Sequence, residues 1–195
     1  PYKPHSPFLP EKNAVGVYRK TITIPSDWME REIYLYIGGA KSGCYVYLNG
    51  QLVGYNEDSK NAAEYDLTPY IHEGDNQLAL KIYRWSTGSY LECQDFWRLS
   101  GIERDVYIFA QPKVHIFDYT LTPIVEQLAS DGLTGTGYFE VEVLLQNHSD
   151  ANALMTLALD DDLALGGEKQ VVIAPNSQST QVFHIPFQDW KLWSA

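Results

Sequence analysis

The sequence predicts an all-β chain. Side chains alternate with a period of two along most of its apolar segments, and no segment sustains the 3.6-residue period of an amphipathic helix. Turn-forming pairs, Asn49-Gly50 above all, punctuate the runs. In order, the predicted strands of the first part are residues 18–24 (YRKTITI), 32–37 (EIYLYI), 44–50 (CYVYLNG), 76–85 (NQLALKIYRW) and 105–110 (DVYIFA). Within 76–85, Leu78, Leu80 and Ile82 share one face and Ala79, Lys81 and Tyr83 the other, so the strand has one wet side. Asn49-Gly50 falls between CYVYL and QLVGY. That pair best tolerates the two positive φ angles of a type I′ turn, so a hairpin is expected there. Glu73-Gly74-Asp75-Asn76 is a second turn signal, and residues 26–31 (SDWMER) are the best candidate for a short helical turn.

Around Ala110-Gln111-Pro112-Lys113 an aromatic-dense stretch gives way to a smoother one, and a domain boundary is expected near residue 113. Beyond it, residues 114–124, 138–147, 153–159, 170–174 and 180–187 read as strands separated by Gly, Asp and Asn turns, a spacing that suggests a sandwich. The span 114–195 holds about 80 residues where a seven-stranded sandwich takes roughly 100, so this second domain is expected to be incomplete at its C-terminal end.

Composition narrows the function. The 195 residues carry 14 Lys+Arg against 25 Asp+Glu, a formal net charge of −11. No basic run exceeds the pair Arg19-Lys20, so a phosphate backbone would be repelled and nucleic acid is not an expected partner. No apolar stretch approaches the roughly 18 residues of a helical membrane span, so no membrane partner is expected. The opening PYKPHSPFLPEK has neither the basic nor the apolar region of an export signal. It reads like the middle of a longer chain, and the compartment stays open. Cys44 and Cys93 are too few for a disulfide framework and are expected to be free, partly buried thiols. His5, His72, His115, His148 and His184 have no zinc-ligand spacing. Asn147-His148-Ser149 fits the N-glycosylation triplet, a pattern that also arises by chance.

The GxSxG, GxGxxG, P-loop and EF-hand signatures are absent. What stands out is residues 84–105, RWSTGSYLECQDFWRLSGIERD, which hold a loop of about 17 residues between strands, long against the usual 4 to 6 or so. Its aromatic rings can stack on the apolar face of a sugar while Asp or Asn beside them bonds hydroxyls, the makings of a small polar-ligand pocket. The residues leave a second reading open. Trp85, Phe96 and Trp97 could instead plug one end of a sandwich, with Arg98 and Arg104 paired to nearby acids. Glu92 and Asp95 are not a glycosidase carboxylate pair, because both stand on one loop and nothing here supplies the opposite wall.

Residues 14–28 (AVGVYRKTITIPSDW), residues 33–108, with their NGQLVGY hairpin and their RWSTGSYLECQDFWRLSGIERDV run, and the closing WKLWSA resemble the first two domains of the large bacterial β-galactosidases of glycoside hydrolase family 2. The match covers essentially the whole chain and weakens after residue 124. It implies a jelly-roll (galactose-binding-like) sandwich over 1–113, then a truncated immunoglobulin-like β-sandwich over 114–195, leading to a catalytic (β/α)₈ barrel that this chain lacks. In such enzymes two barrel glutamates, about 5 to 5.5 Å apart, carry a retaining double displacement, so no catalytic residue is expected in this chain. The jelly roll would lend residues to the galactose pocket. The family's Asn-Pro-x-Gly asparagine matches Asn13, although Ala14 and Val15 replace the proline and the residue after it, which would loosen the turn. The family's aspartate in Gln-Asp-x-Trp-Arg matches Asp95, which would bond sugar hydroxyls and help hold sodium. Trp97 and Arg98 would support that loop from behind, and Trp85, Tyr90 and Tyr55 would be core or rim. Magnesium would belong to the full enzyme, whose partners would be a β-galactoside and, for this fragment, the barrel of the parent chain, itself a homo-oligomer. A free-standing carbohydrate-binding module, a structural or adhesive sandwich pair, and a sister β-glucuronidase or β-mannosidase are the competing readings.

Overall fold

The computed structural model describes residues 8–92, 95, 97–158 and 168–192. The chain folds as two compact units, Pro1–Pro112 and Lys113–Ala195. All described sheets are antiparallel, so the expectation of an all-β fold holds.

The first unit contains β1 (Val15–Ile24), β2 (Glu32–Ile37), β3 (Ala40–Lys41), β4 (Gly43–Leu48), β5 (Gln51–Asn56), β6 (Ala63–Asp66), β7 (Gly74–Tyr83), β8 (Gly101–Ile102) and β9 (Val106–Gln111). They form a four-stranded sheet, β1-β7-β4-β5, a three-stranded sheet, β6-β2-β9, and the small pair β3-β8. One core cluster joins the two larger sheets. Ile33, Leu35 and Ile37 of β2 meet Val46 and Leu48 of β4 and Leu78, Leu80 and Ile82 of β7. The period-two pattern therefore does in three dimensions what it promised in sequence, burying alternate side chains between sheets.

Asn49 and Gly50 have φ of 51° and 81° and join Leu48 to its direct partner Gln51, the expected two-residue hairpin. Gly74 also lies at positive φ, 82°, and starts β7 two residues earlier than the alternation alone suggested. Residues 26–31 contribute only the single 3₁₀ turn Ser26–Trp28. The brief strands β3, β6 and β8 escape a sequence reading because two to four residues are too few to display a period.

The second unit contains β10 (Val114–Leu128), β11 (Thr134–Asn147), β12 (Ala153–Ala158), β13 (Glu168–Ile173) and β14 (Ser177–Lys191), arranged as the sheets β10-β11-β14 and β12-β13. Val141, Val143, Leu145, Leu157, Val171 and Ile173 form its core. The strands of the larger sheet run 14 or 15 residues, longer than the alternation predicted. Register shifts at Ile116/Asp118, Val125/Gln127 and Gly135/Gly137 absorb the breaks in pattern and let pairing continue past them. Pro123 and Pro186, which would interrupt a central strand, sit in β10 and β14, the two edges of this sheet.

Asn147 is fully buried at the end of β11. Its amide donates to the carbonyls of Ala151, Ile173 and Ala174 and its oxygen accepts the Ser149 N–H and hydroxyl. The glycosylation triplet thus belongs to a folded polar core, and its asparagine is closed to modification in the folded chain. Among the described residues, no helix is long and apolar enough to cross a membrane.

Candidate functional site

The β1–β7 register assembles the site. Val15 pairs with Tyr83, so the residues just before β1 stand opposite those just after β7. The Arg84 N–H donates to the Ala14 carbonyl at 2.9 Å. One step further out, the Asn13 side chain takes over the ladder. Its Nδ2 donates to the Trp85 carbonyl at 2.8 Å and its Oδ1 accepts the Trp85 N–H at 3.0 Å. The segment that would form the family's turn thus runs straight into β1, with Asn13 holding its entry. Each polar atom of that amide keeps one further hydrogen-bonding capacity for a ligand.

Beside this pair lies a cleft of about 330 Å³ whose wall includes Asn13, Tyr45, Tyr55, Tyr83 and Trp85. The Tyr45 ring lies 4.4 Å from Tyr55 and 5.9 Å, edge-on, from Tyr83. Tyr55 and Trp85 are therefore cleft-lining residues. The cleft's carboxylate is Glu57, which no motif or periodicity singled out. Thr87 donates to its Oε1 at 2.7 Å and Tyr55 to its Oε2 at 2.9 Å. The Thr87 bond foremost, against an opposing desolvation and with help from Tyr55 and the Gly88 backbone, holds the Glu57 carboxyl below the usual carboxylate range. Burial, reinforced by the same glutamate, pushes the Tyr55 phenol upward.

The loop after β7 continues through the one-turn helix α1 (Ser89–Glu92). Tyr90 donates its hydroxyl to the Phe8 carbonyl. Asp95 follows in a bend and is exposed. It is not among the cleft-lining residues. Cys93 and Phe96 lie outside the described residues. Trp97 is 77% exposed, so its ring plugs no sandwich end; what anchors it is its backbone carbonyl, which accepts a hydrogen bond from Lys41 Nζ at 3.0 Å. Arg98 is exposed as well. The loop is also held by residues the sequence did not advertise. Glu92, rejected as a catalytic acid on sequence grounds, spends both carboxylate oxygens on Ser59, accepting the backbone N–H at 2.9 Å and the hydroxyl.

Among the described residues, no group of three or more His, Cys, Asp or Glu side chains could hold a metal ion. Asp95 offers one carboxylate, which suits one ligand of a shared cation site and is too little for a site of its own.

Residues 1–112 match the family model described as "Glycosyl hydrolases family 2, sugar binding domain". The chain is 38% identical over 186 residues to a β-galactosidase of Priestia megaterium, covering 89% of this chain and 18% of that protein. It is 36% identical over 190 residues to a β-galactosidase of Halalkalibacterium halodurans, covering 97% and 18%. It thus spans about a fifth of the length of these relatives. Among solved structures, a double aspartate-to-alanine mutant of Bacteroides uniformis β-glucuronidase 2 superposes with a TM-score of 0.77 at 21% identity, covering 92% of this chain and 23% of that one. By the match over its first 112 residues and by its similarity to these β-galactosidases along nearly its whole length, the chain belongs to glycoside hydrolase family 2 and carries that family's sugar-binding domain.

Proposed function

We propose that this chain is the N-terminal, non-catalytic part of a β-galactosidase that hydrolyses terminal β-galactosides with retention, its barrel being supplied by further sequence. The observation that carries this reading is similarity at 36–38% identity to β-galactosidases across nearly the whole chain. The likeness to a β-glucuronidase structure, at 21% identity, supports the fold alone and does not favour that sister activity. In this reading residues 1–113 are the jelly roll and residues 114–195 the opening strands of an immunoglobulin-like sandwich.

Asn13 and Asp95 serve the galactose pocket. Asn13 presents an amide already oriented by Trp85, so little rotamer freedom is lost when a hydroxyl binds. Asp95, exposed here, accepts sugar hydroxyls and supplies one oxygen ligand to sodium shared with another part of the enzyme. That compensates its charge once the pocket closes and lowers the cost of taking it out of water. Among the described residues, no group of three or more His, Cys, Asp or Glu side chains could hold magnesium, which in this reading belongs to the full enzyme. The decisive experiment is kcat/KM toward a β-galactoside for the enzyme containing this chain, with and without Asp95→Ala. A fall of roughly 100-fold or more is expected, since a pocket contact and a cation ligand vanish together. A value near wild type overturns the assignment of Asp95.

The aromatic cleft favours one second reading, a free-standing carbohydrate-binding module. It requires that the 195-residue chain alone bind galactosides. A flat calorimetric titration at millimolar sugar rules it out.

A further inference from the structure

Asp95 is bracketed by two anchors. Three residues before it, Glu92 closes α1 and grips Ser59 through both carboxylate oxygens, and Ser59 is 0% exposed. Two residues after it, the Trp97 carbonyl accepts a hydrogen bond from Nζ of Lys41, itself only 2% exposed. The first anchor is reciprocated from the other side. Glu57, two residues before Ser59, accepts the hydroxyl of Thr87, so the segments 57–59 and 87–92 each give the other a carboxylate. All of these groups lie in the first unit.

We infer that Glu92 and Lys41 are positioning residues that set where the Asp95 carboxylate stands, an inference that rests on the reading of Asp95 as a sugar-binding residue. The physical reason is entropic. A long loop free to wander would present Asp95 in the binding geometry for only a fraction of the time, and apparent affinity falls by that fraction. Charge-assisted bonds on either side of the turn remove that loss before the ligand arrives. Placing a carboxylate and an ammonium at poorly exposed positions is unfavourable unless each is hydrogen-bonded. Both are, and each spends a bond on a partner from a distant segment, 33 and 56 residues away in sequence.

The test combines backbone hydrogen exchange on the 195-residue chain with steady-state kinetics on the enzyme containing it. Variants are Glu92→Ala, Glu92→Gln, Ser59→Ala and Lys41→Met, with Asp95→Ala as reference. Glu92→Ala and Lys41→Met should speed exchange in residues 86–99 while leaving β2, β4 and β7 protected, and should raise KM for a β-galactoside roughly 10- to 100-fold with a smaller change in kcat. Glu92→Gln, which keeps one acceptor for the Ser59 N–H, should fall between wild type and Glu92→Ala, and Ser59→Ala should resemble it. Wild-type exchange in residues 86–99 in both anchor variants overturns the proposal. So does faster exchange with wild-type KM, provided Asp95→Ala raises KM. If Asp95→Ala itself leaves kcat/KM unchanged, the reading of Asp95 has failed and the positioning role falls with it.

Discussion

Asn13 and Trp85, 72 residues apart, pair side chain to main chain through two hydrogen bonds of 2.8 and 3.0 Å. The asparagine amide imitates the next rung of the β1–β7 ladder and carries the register of the sheet into the loop that bears Asp95. The residue proposed to bind sugar is thus also the splice between a strand and the loop that bears Asp95.

Asn13→Ala should therefore weaken folding as well as ligand recognition. Two partly buried hydrogen bonds to the Trp85 backbone are lost, which predicts a loss of about 1–2 kcal/mol in urea unfolding. An unchanged midpoint would show that water replaces the amide without penalty.

Asn147→Ala should be more damaging. Its amide serves three carbonyls and two Ser149 donors at a site with no solvent exposure. Truncation leaves several of these buried groups unsatisfied, and a loss of roughly 2–4 kcal/mol is expected in the transition of the second unit.

Alkaline pH should destabilise the first unit. Burial pushes the Cys44 thiol up to about 11 from an ordinary value of 9.0. Between those values the unfolded chain has released a proton that the folded chain still holds, so the stabilisation is complete below about pH 9, erodes as pH rises, and is gone above about 11. The effect is on the order of 2–3 kcal/mol. Thermal melts from pH 8 to 11 should show it, and Cys44→Ala should flatten the dependence. The same burial predicts that iodoacetamide leaves Cys44 unmodified at pH 8 until the chain unfolds.

At the acid end, Glu57 acts with the opposite sign. Its carboxyl lies below its usual value of 4.5 chiefly because Thr87 donates to it. Its contribution to stability is present above that pH and lost as pH falls through the lower folded value. An NMR titration of the Glu57 side chain should report the depressed value, and Thr87→Val should move it back toward 4.5.

Much of the first unit was legible in its sequence because strand alternation and Asn-Gly turns act over short range: Leu78, Leu80 and Ile82 announce their face, and Asn49-Gly50 its hairpin. Asn13 and the loop after β7 stood out through family resemblance and aromatic density, and the register then joined the Asn13 turn to the start of that loop. The anchors were not legible. Ser59 and Glu92 meet across 33 residues and lie in no periodic pattern, and lysine is a residue type expected at the surface, so nothing marked Lys41 as buried. Trp97 shows the converse difficulty. Its aromatic character suggested a plug or a brace, yet its ring is exposed and its backbone carbonyl does the holding.

The prolines of the larger sheet in the second unit stand level with each other. Pro123 pairs with Phe139 and Pro186 with Tyr138, neighbouring residues of β11, so each edge strand lacks a backbone donor at the same height. Among the described residues no further strand pairs with the outer side of β10 or β14, and such an edge is a template on which a foreign strand could add and seed a fibril. A proline on each flank takes one backbone N–H out of its edge strand, which makes that strand a poorer template for cross-β growth.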